Sequence, residues 1–542
     1  MSATTTVAPA ASSRGLARSG GAMAIGTVLS RITGFLRTAA LLAALGSTGV
    51  ADAYNVANTT PNIIHDLLLG GILSSVVVPL LVRARREDED AGERFTSVLF
   101  SVTMITLVAV TIVAILAAPL LMRIYVSGEA TDADRALAVS FIRLFMPQLV
   151  FYALSALIGA VLNVRGKFGA VGAVPVINNL VVIAIAGIFI ASADRKHLGH
   201  NGLPHGEMLL LGIGTTLGVV AMALALVPSM RAAGIRVRFI PDWREPRLRM
   251  AARLGGWVVG YAVVNQLGFL VITQLATRHG GDFTIYSTAY QLFQLPHAII
   301  AVSVISALMP GLSHAAAVGD LAGVRHQLSR GLRLTFVFLL PAALGLAALA
   351  QPIATGALQY GATGAQAART ISDTLAAFAI GLPFFSAYQL LLRAFYAQQD
   401  SRTPTLINVV CNVVNVVAAV ILALTLPPHL RVPGLAAALA VAYLVGAAVA
   451  ARLLRRSLGG LDGYRVLRLS VRASLAALVA AAGARIVADI IREWGAGPGP
   501  AIIATLVAAA FGIAVYIWLA RQMRIRELTS LLNLLPVPGR RR

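Results

Sequence analysis

Charge is scarce in this chain. Only 12% of its 542 residues are Asp, Glu, Lys or Arg, against about 25% in a typical soluble protein. With 58% hydrophobic residues and a mean hydropathy of +0.81, that shortage excludes an ordinary soluble domain. Acids are rarer still, 22 against 44 basic residues. Lysine is almost missing: Lys167 and Lys196 stand alone beside the arginines, which points to a GC-rich genome. The single cysteine, Cys411, excludes an intrachain disulfide and a cysteine-built zinc cluster. No loop is long enough for a folded extramembrane domain. The short loops holding Glu129, Asp132 and Asp134, or Asp282, collect no His/acid constellation, which argues against a membrane enzyme such as a polyprenyl-linked glycosyltransferase. The first apolar segment contains arginines and is too long for the core of a cleavable signal.

What is present is a series of membrane-length apolar runs. Runs of about 20 residues predict fourteen helices, near 21–46, 56–82, 95–124, 136–163, 170–193, 207–231, 251–277, 284–314, 332–355, 371–397, 405–427, 433–454, 466–489 and 501–521. The expected fold is an all-α polytopic membrane protein. The net charge of +22 would suggest nucleic acid in a soluble protein. Here the arginines concentrate in alternate loops: Arg83, Arg85, Arg86 and Arg94; Arg165 and Lys167; Arg231 to Arg249; Arg325 and Arg330; Arg402; Arg455, Arg456 and Arg465. That asymmetry sets topology, with both termini cytoplasmic.

The chain repeats itself. Pro61-Asn62-Ile63-Ile64 resembles Pro296-His297-Ala298-Ile299-Ile300, with prolines 235 residues apart. Pro147 matches Pro383 at 236, and Pro175-Val176-Ile177-Asn178 matches Pro404-Thr405-Leu406-Ile407-Asn408 at 229. Similar offsets, each six helices on, predict two parallel six-helix lobes. The expected organisation is a disordered cytoplasmic N-terminus over 1–20, an N-lobe over 21–245 and a C-lobe over 246–456. Two extra helices follow over 457–524, then a basic cytoplasmic tail over 525–542.

Within the first helix lie Arg31 and Arg37. An arginine at bilayer depth costs roughly 2.5–3.5 kcal/mol even on the lenient insertion scale. Two imply a wet, cationic interior whose natural occupant is an anion. Arg37 has an alternative, snorkelling to the outer interface. Six residues separate the pair, about 120° around a straight helix, so joint contact with one ligand calls for deformation near Gly34. Pro61 and Pro296 are further candidate hinges in helices 2 and 8. Two lobes around a charged cavity describe an alternating-access transporter.

Ser30-Arg31-x-x-Gly34-Phe35-x-Arg37, then Asp52-Ala53-Tyr54 and Pro61-Asn62, resembles the MurJ/MviN family, lipid II flippases of the multidrug/oligosaccharidyl-lipid/polysaccharide exporter superfamily. Gln294-Leu295-Pro296, Leu308-Met309-Pro310 and the Asn163-to-Asn178 stretch resemble it too. The resemblance implies a V-shaped pair of lobes, with helices 13 and 14 forming a lipid-tail groove. It implies a cargo of undecaprenyl-pyrophosphoryl-MurNAc-pentapeptide-GlcNAc moved to the outer leaflet. The implied partners are lipid II, membrane lipids, and cell-wall synthesis or division proteins, with no nucleic acid and no cofactor. The implied substrate-binding residues are Arg31, Arg37, Asp52, Asn62, His65, Asp66 and Gln291, with Asp52 pairing an arginine or serving as an ordinary loop carboxylate.

The chain departs from the family pattern at two positions. His65-Asp66 stands where the family has a basic residue, and Gln291 where it has an arginine. Arg143 and Arg393 are possible compensating cations. Some relatives bind sodium in the second lobe through carboxylates. Here Asn265, Asn408, Asn412 and Asn415 offer amides alone, weak candidates for a metal. Three alternatives stand beside the flippase reading: another polyprenyl-linked polysaccharide exporter, a drug exporter, and a non-transporting cell-wall scaffold. A drug-cation exporter would want acids where the arginines lie, and an inert scaffold has no use for buried charge.

Overall fold

In the computed structural model the described residues are 13–65, 77–90, 92–126, 131–192, 203–493, 495 and 497–528. Their regular structure is helical, without a strand among them. The first half runs α1 (Ser13–Leu45), α2 (Gly49–His65), α3 (Val78–Glu87), α4 (Glu93–Leu116), α5 (Ala118–Tyr125), α6 (Asp132–Phe145), α7 (Gln148–Val164), α8 (Phe168–Ser192) and α9 (His205–Ala232). The second runs α10 (Pro246–Ala276), α11 (Asp282–Pro296), a π-helical turn over His297–Ala301, α12 (Val302–Ala317), α13 (Leu321–Ala348), α14 (Ala350–Leu358), α15 (Ala365–Ala397), α16 (Arg402–Thr425) and α17 (Arg431–Ser457). Then come α18 (Gly463–Arg492) and α19 (Pro498–Gln522).

Twelve helical stretches among the described residues are long and apolar enough to cross a membrane. Two of the fourteen expected spans fall outside that set. The middle of 56–82 lies outside the described residues, and 251–277 contributes the shorter apolar helix Gly260–Ala276. The expected disorder over 1–20 does not hold for 13–20, which form the first turns of α1. Prolines explain several subdivisions. Pro119 lies in the first turn of α5 and Pro147 caps α7, positions where a ring without N–H interrupts the hydrogen-bond ladder of a longer apolar run.

The repeat is visible in packing. α1 lies on α8, α8 on α9 and α7 on α9; correspondingly α10 lies on α16, α16 on α17 and α15 on α17. Small residues allow the close approaches. A Cβ on Gly26 would come within 2.7 Å of the Gly172 carbonyl carbon, so the α1 and α8 backbones touch where lipid supplies no hydrophobic drive and dispersion must hold the helices. α18 and α19 pack on each other, α18 also on α13 and α19 on α14. The inner face of α18 is an alanine stripe, Ala473, Ala476, Ala477, Ala480, Ala484 and Ala488, all buried, while Leu478, Val479 and Ile486 face outward.

The two bundles meet at one end. Ala362 N donates to Ala43 O at 2.8 Å, and Thr363 Oγ1 to Leu42 O at 2.9 Å. At the same end Gln266 Nε2 donates to Tyr125 Oη at 2.7 Å. Gly281 (φ 98°) and Gly361 (φ 60°) occupy left-handed backbone, and a Cβ on either would collide with the carbonyl oxygen of Ser47 or Ala43 respectively. Glycine is required there for conformation and for room.

Candidate functional site

Between the bundles, away from that closed end, lies a cavity of about 460 Å³. Arg31 and Arg37 both line it, Arg31 exposed and Arg37 half-buried. α1 is unbroken through Gly34, so the deformation expected there is absent. Long guanidinium arms cover the angle between the two positions. Gly34 also lines the cavity, and a Cβ there would meet Asn179 Nδ2 at an ordinary 3.6 Å.

Polar groups from two other helices complete the wall. From α8, Asn179 Nδ2 donates to Ser30 O at 3.2 Å and to Thr33 Oγ1 at 3.0 Å. Its neighbour Asn178 lines the cavity and keeps a buried Oδ1 without a hydrogen-bond partner among the described residues. From α11 come Gln291 and Gln294, and Thr38 Oγ1 donates to Gln291 Oε1 at 2.6 Å. No carboxylate belongs to the described lining. The arrangement is a cationic, amide-rimmed space open to an anion, and guanidinium groups suit phosphate oxygens in particular.

The other expected residues lie elsewhere. Asp52 is buried and lines a separate, smaller cavity of about 150 Å³. Among the described residues its carboxylate forms no ion pair with an arginine. It accepts from Gly281 N at 2.8 Å, Thr284 N at 2.8 Å and Thr284 Oγ1 at 2.6 Å, capping α11 from across the bundle interface. Asn62 Nδ2 donates to Asn58 O at 2.9 Å, within its own helix. His65 ends α2 and its side chain lies outside what is described, as does Asp66 altogether. Arg143 and Arg393 are exposed and are not part of the cavity lining. Arg393 and Arg31 do both lie within electrostatic reach of His297.

Pro61 sits inside continuous α2, whereas Pro296 is followed at once by the π turn. There the ladder is already loosened, as π bulges often are at functional sites. His297 Nδ1 is 2.8 Å from Ser386 Oγ, and its ring lies 4.3 Å from that of Phe385. Asn265, Asn408 and Asn412 do gather: Asn412 Nδ2 donates to Asn265 Oδ1 at 3.1 Å and to Asn408 Oδ1 at 3.2 Å. Those amides satisfy one another. Among the described residues no three His, Cys, Asp or Glu side chains form a metal-type cluster.

Sequence reasoning missed Asn178, Asn179 and Gln294 as cavity residues. The available signal was polar amides in apolar helices beside Pro175 and Pro296.

Duplicated bundles closing at one end around a charged cavity define a membrane transporter. The fold is that of the multidrug and MurJ exporters. An inward-facing multidrug resistance MATE family transporter of the MOP superfamily aligns with TM-score 0.66 and 14% identity, covering 80% of this chain and 96% of that one. A lipid II flippase MurJ in an inward closed conformation aligns with TM-score 0.74 and 21% identity, covering 94% of this chain and 99% of its own. In sequence, the family model described as "Lipid II flippase MurJ" matches residues 41–505. The probable lipid II flippase MurJ of Rhizobium meliloti (strain 1021) is 30% identical over 466 residues, 84% of each chain. The chain belongs to the MurJ family. The family match begins at residue 41, so the case for Arg31 and Arg37 rests on their place in the cavity.

Proposed function

We infer that this chain is a lipid II flippase, a multi-pass transporter that carries the undecaprenyl-pyrophosphate-linked peptidoglycan precursor from the cytoplasmic to the outer leaflet. The observation that carries the reading is the shared cavity of Arg31 and Arg37, rimmed by Asn179 and Gln291 and lined by no described acid. The arginines receive the pyrophosphate, with bidentate pairing available to each. At about 460 Å³ the cavity suits the pyrophosphate and the sugar next to it, and not a long polyprenyl tail. The tail therefore stays in lipid, along the apolar outer faces of α18 and α19. A drug-cation exporter would need the opposite charge in this space.

The mechanism we assign is alternating access. An N-lobe over 21–245 and a C-lobe over 246–456 rock about their contact, Pro296 and its π turn absorb bending in the second lobe, and Gly34 and Pro61 do so in the first. Both termini are cytoplasmic, which places the cavity toward the cytoplasm and the closed end outside. Asp52 acts at that outer seal, while Asn62 contributes to headgroup binding as helix 2 moves. Wall-synthesis or division proteins that use the delivered precursor are the partners this reading assigns.

The test is complementation of a MurJ-depleted strain, combined with a probe of lipid II leaflet location. The wild-type chain should restore growth and outer-leaflet lipid II. Arg31→Ala and Arg37→Ala should fail at normal membrane abundance. Growth supported equally by both variants would remove the arginines from the site. Failure of the wild-type chain, with unchanged outer-leaflet lipid II after depletion in its own host, would reject the flippase reading.

A further inference from the structure

A second basic cavity, of about 400 Å³, lies between α13, α18 and the turn after α19. α13 contributes Arg333, α18 contributes Arg465, Arg468 and Arg472, and the turn contributes Arg524 and Arg526. The α18 arginines are spaced i, i+3, i+7, which gathers them on one helix face. One carboxylate, Glu527, belongs to the described lining, and it pairs with Arg333 at 3.4 Å. Arg465, Arg468, Arg472, Arg524 and Arg526 form no ion pair among the described residues, and Arg333 Nε is buried without a hydrogen-bond partner there. Five unpaired like charges around one space repel each other unless an anion joins them.

Further observations bear on the anion. Arg524 holds left-handed backbone, φ 54°, just past the end of α19, where glycine is the relaxed choice. The chain keeps a guanidinium at that strained position. Depth is set by Tyr464 at the start of α18 and Trp518 near the end of α19, 76% and 60% exposed. Exposed Tyr and Trp mark the headgroup level of a bilayer. Beside the arginines, Leu467 and Val471 are 63% and 50% exposed on a neighbouring face of α18, an apolar surface for acyl chains.

We propose that this cavity binds the phosphodiester headgroup of an anionic membrane phospholipid, whose acyl chains lie along Leu467 and Val471. Basic pockets between membrane helices are the recognised chemistry for such headgroups. The site is distinct from the central cavity and shares no residue with it, so it does not depend on the flippase reading.

The test uses the full chain purified in detergent, with lipid retention measured by native mass spectrometry. The probes are phosphatidylglycerol, phosphatidylcholine and inorganic phosphate. Wild type should retain phosphatidylglycerol at least about tenfold over phosphatidylcholine, as several arginines near one headgroup permit. The triple variant Arg465→Gln/Arg468→Gln/Arg472→Gln should lose that preference, and Arg31→Gln should keep it. If the triple variant does not fold, Arg468→Gln should weaken the preference and Arg468→Lys should hold part of it. Equal retention of the two lipids by wild type would overturn the proposal. So would an undiminished preference in the arginine variants, which would leave these residues as topology signals only. Stabilisation by inorganic phosphate equal to that by phosphatidylglycerol would overturn the lipid assignment.

Discussion

Asp52 and Thr284 are separated by 232 residues in sequence and joined at 2.6 Å in space. The same carboxylate takes the Thr284 and Gly281 backbone amides, so the first turn of one helix caps the first turn of its repeat-related counterpart. An acid at a helix N-terminus satisfies orphan donors and complements the dipole.

Asp52→Ala should therefore lower thermal stability more than Thr284→Val, by about 1–3 kcal/mol, because it strands the buried Gly281, Phe283 and Thr284 amides. The double variant should cost less than the two singles added, since they share one contact. Thermal unfolding in detergent reads both. Additive effects would place the Asp52 partner elsewhere.

Gly281→Ala puts a methyl against the Ser47 carbonyl and holds an L-residue in left-handed backbone, which alone costs about 1–2 kcal/mol. The closed end should loosen. In a Cys411→Ser background, Ala43→Cys should react faster with a thiol reagent when Gly281→Ala is present. An unchanged labelling rate and melting temperature would mean the seam tolerates the methyl.

Arg37→Ala should weaken binding of a pyrophosphate-bearing lipid roughly 10- to 100-fold, the usual worth of a charge-assisted contact. Arg37→Lys should recover only part, because a point charge replaces a planar fork. Titration of purified protein separates these outcomes. Full recovery by lysine would show that charge alone, without fork geometry, is what the headgroup uses.

Topology has its own test. In the Cys411→Ser background, Phe239→Cys, at a position 73% exposed, should be protected from an impermeant reagent in whole cells. Gln366→Cys, also exposed, should react. The reverse pattern would invert the orientation.

Much of this architecture was legible from residue order. Apolar runs bounded by arginines place most of the helices, because a bilayer leaves the backbone no other solution. The repeat was legible too, since Pro61 and Pro296, or Pro175 and Pro404, mark equivalent turns. Arg31 and Arg37 could be singled out by the expense of their depth. Pairings such as Asn179 with Ser30, or Thr38 with Gln291, could not. They depend on how helices cross, and a helix crossing has no local sequence signature. Asp52 shows the same limit: its acid suggested an arginine partner, whereas the orphan amides of a distant helix start were the stronger demand.

One part of the seam between the bundles is built from main chain: the Ala43 and Leu42 carbonyls, the Ala362 amide, and glycines at 281 and 361. Main-chain groups are the part of a protein that substitution, proline apart, cannot delete. Such a join is vulnerable to added atoms and indifferent to most removals. A mutational scan across it should be lopsided, harsh at the two glycines and lenient at Ala43 and Ala362 toward other small residues. The tightness of closure would then be a property of the fold's spacing, inherited whole, while preference for cargo could drift separately in the side chains around Arg31.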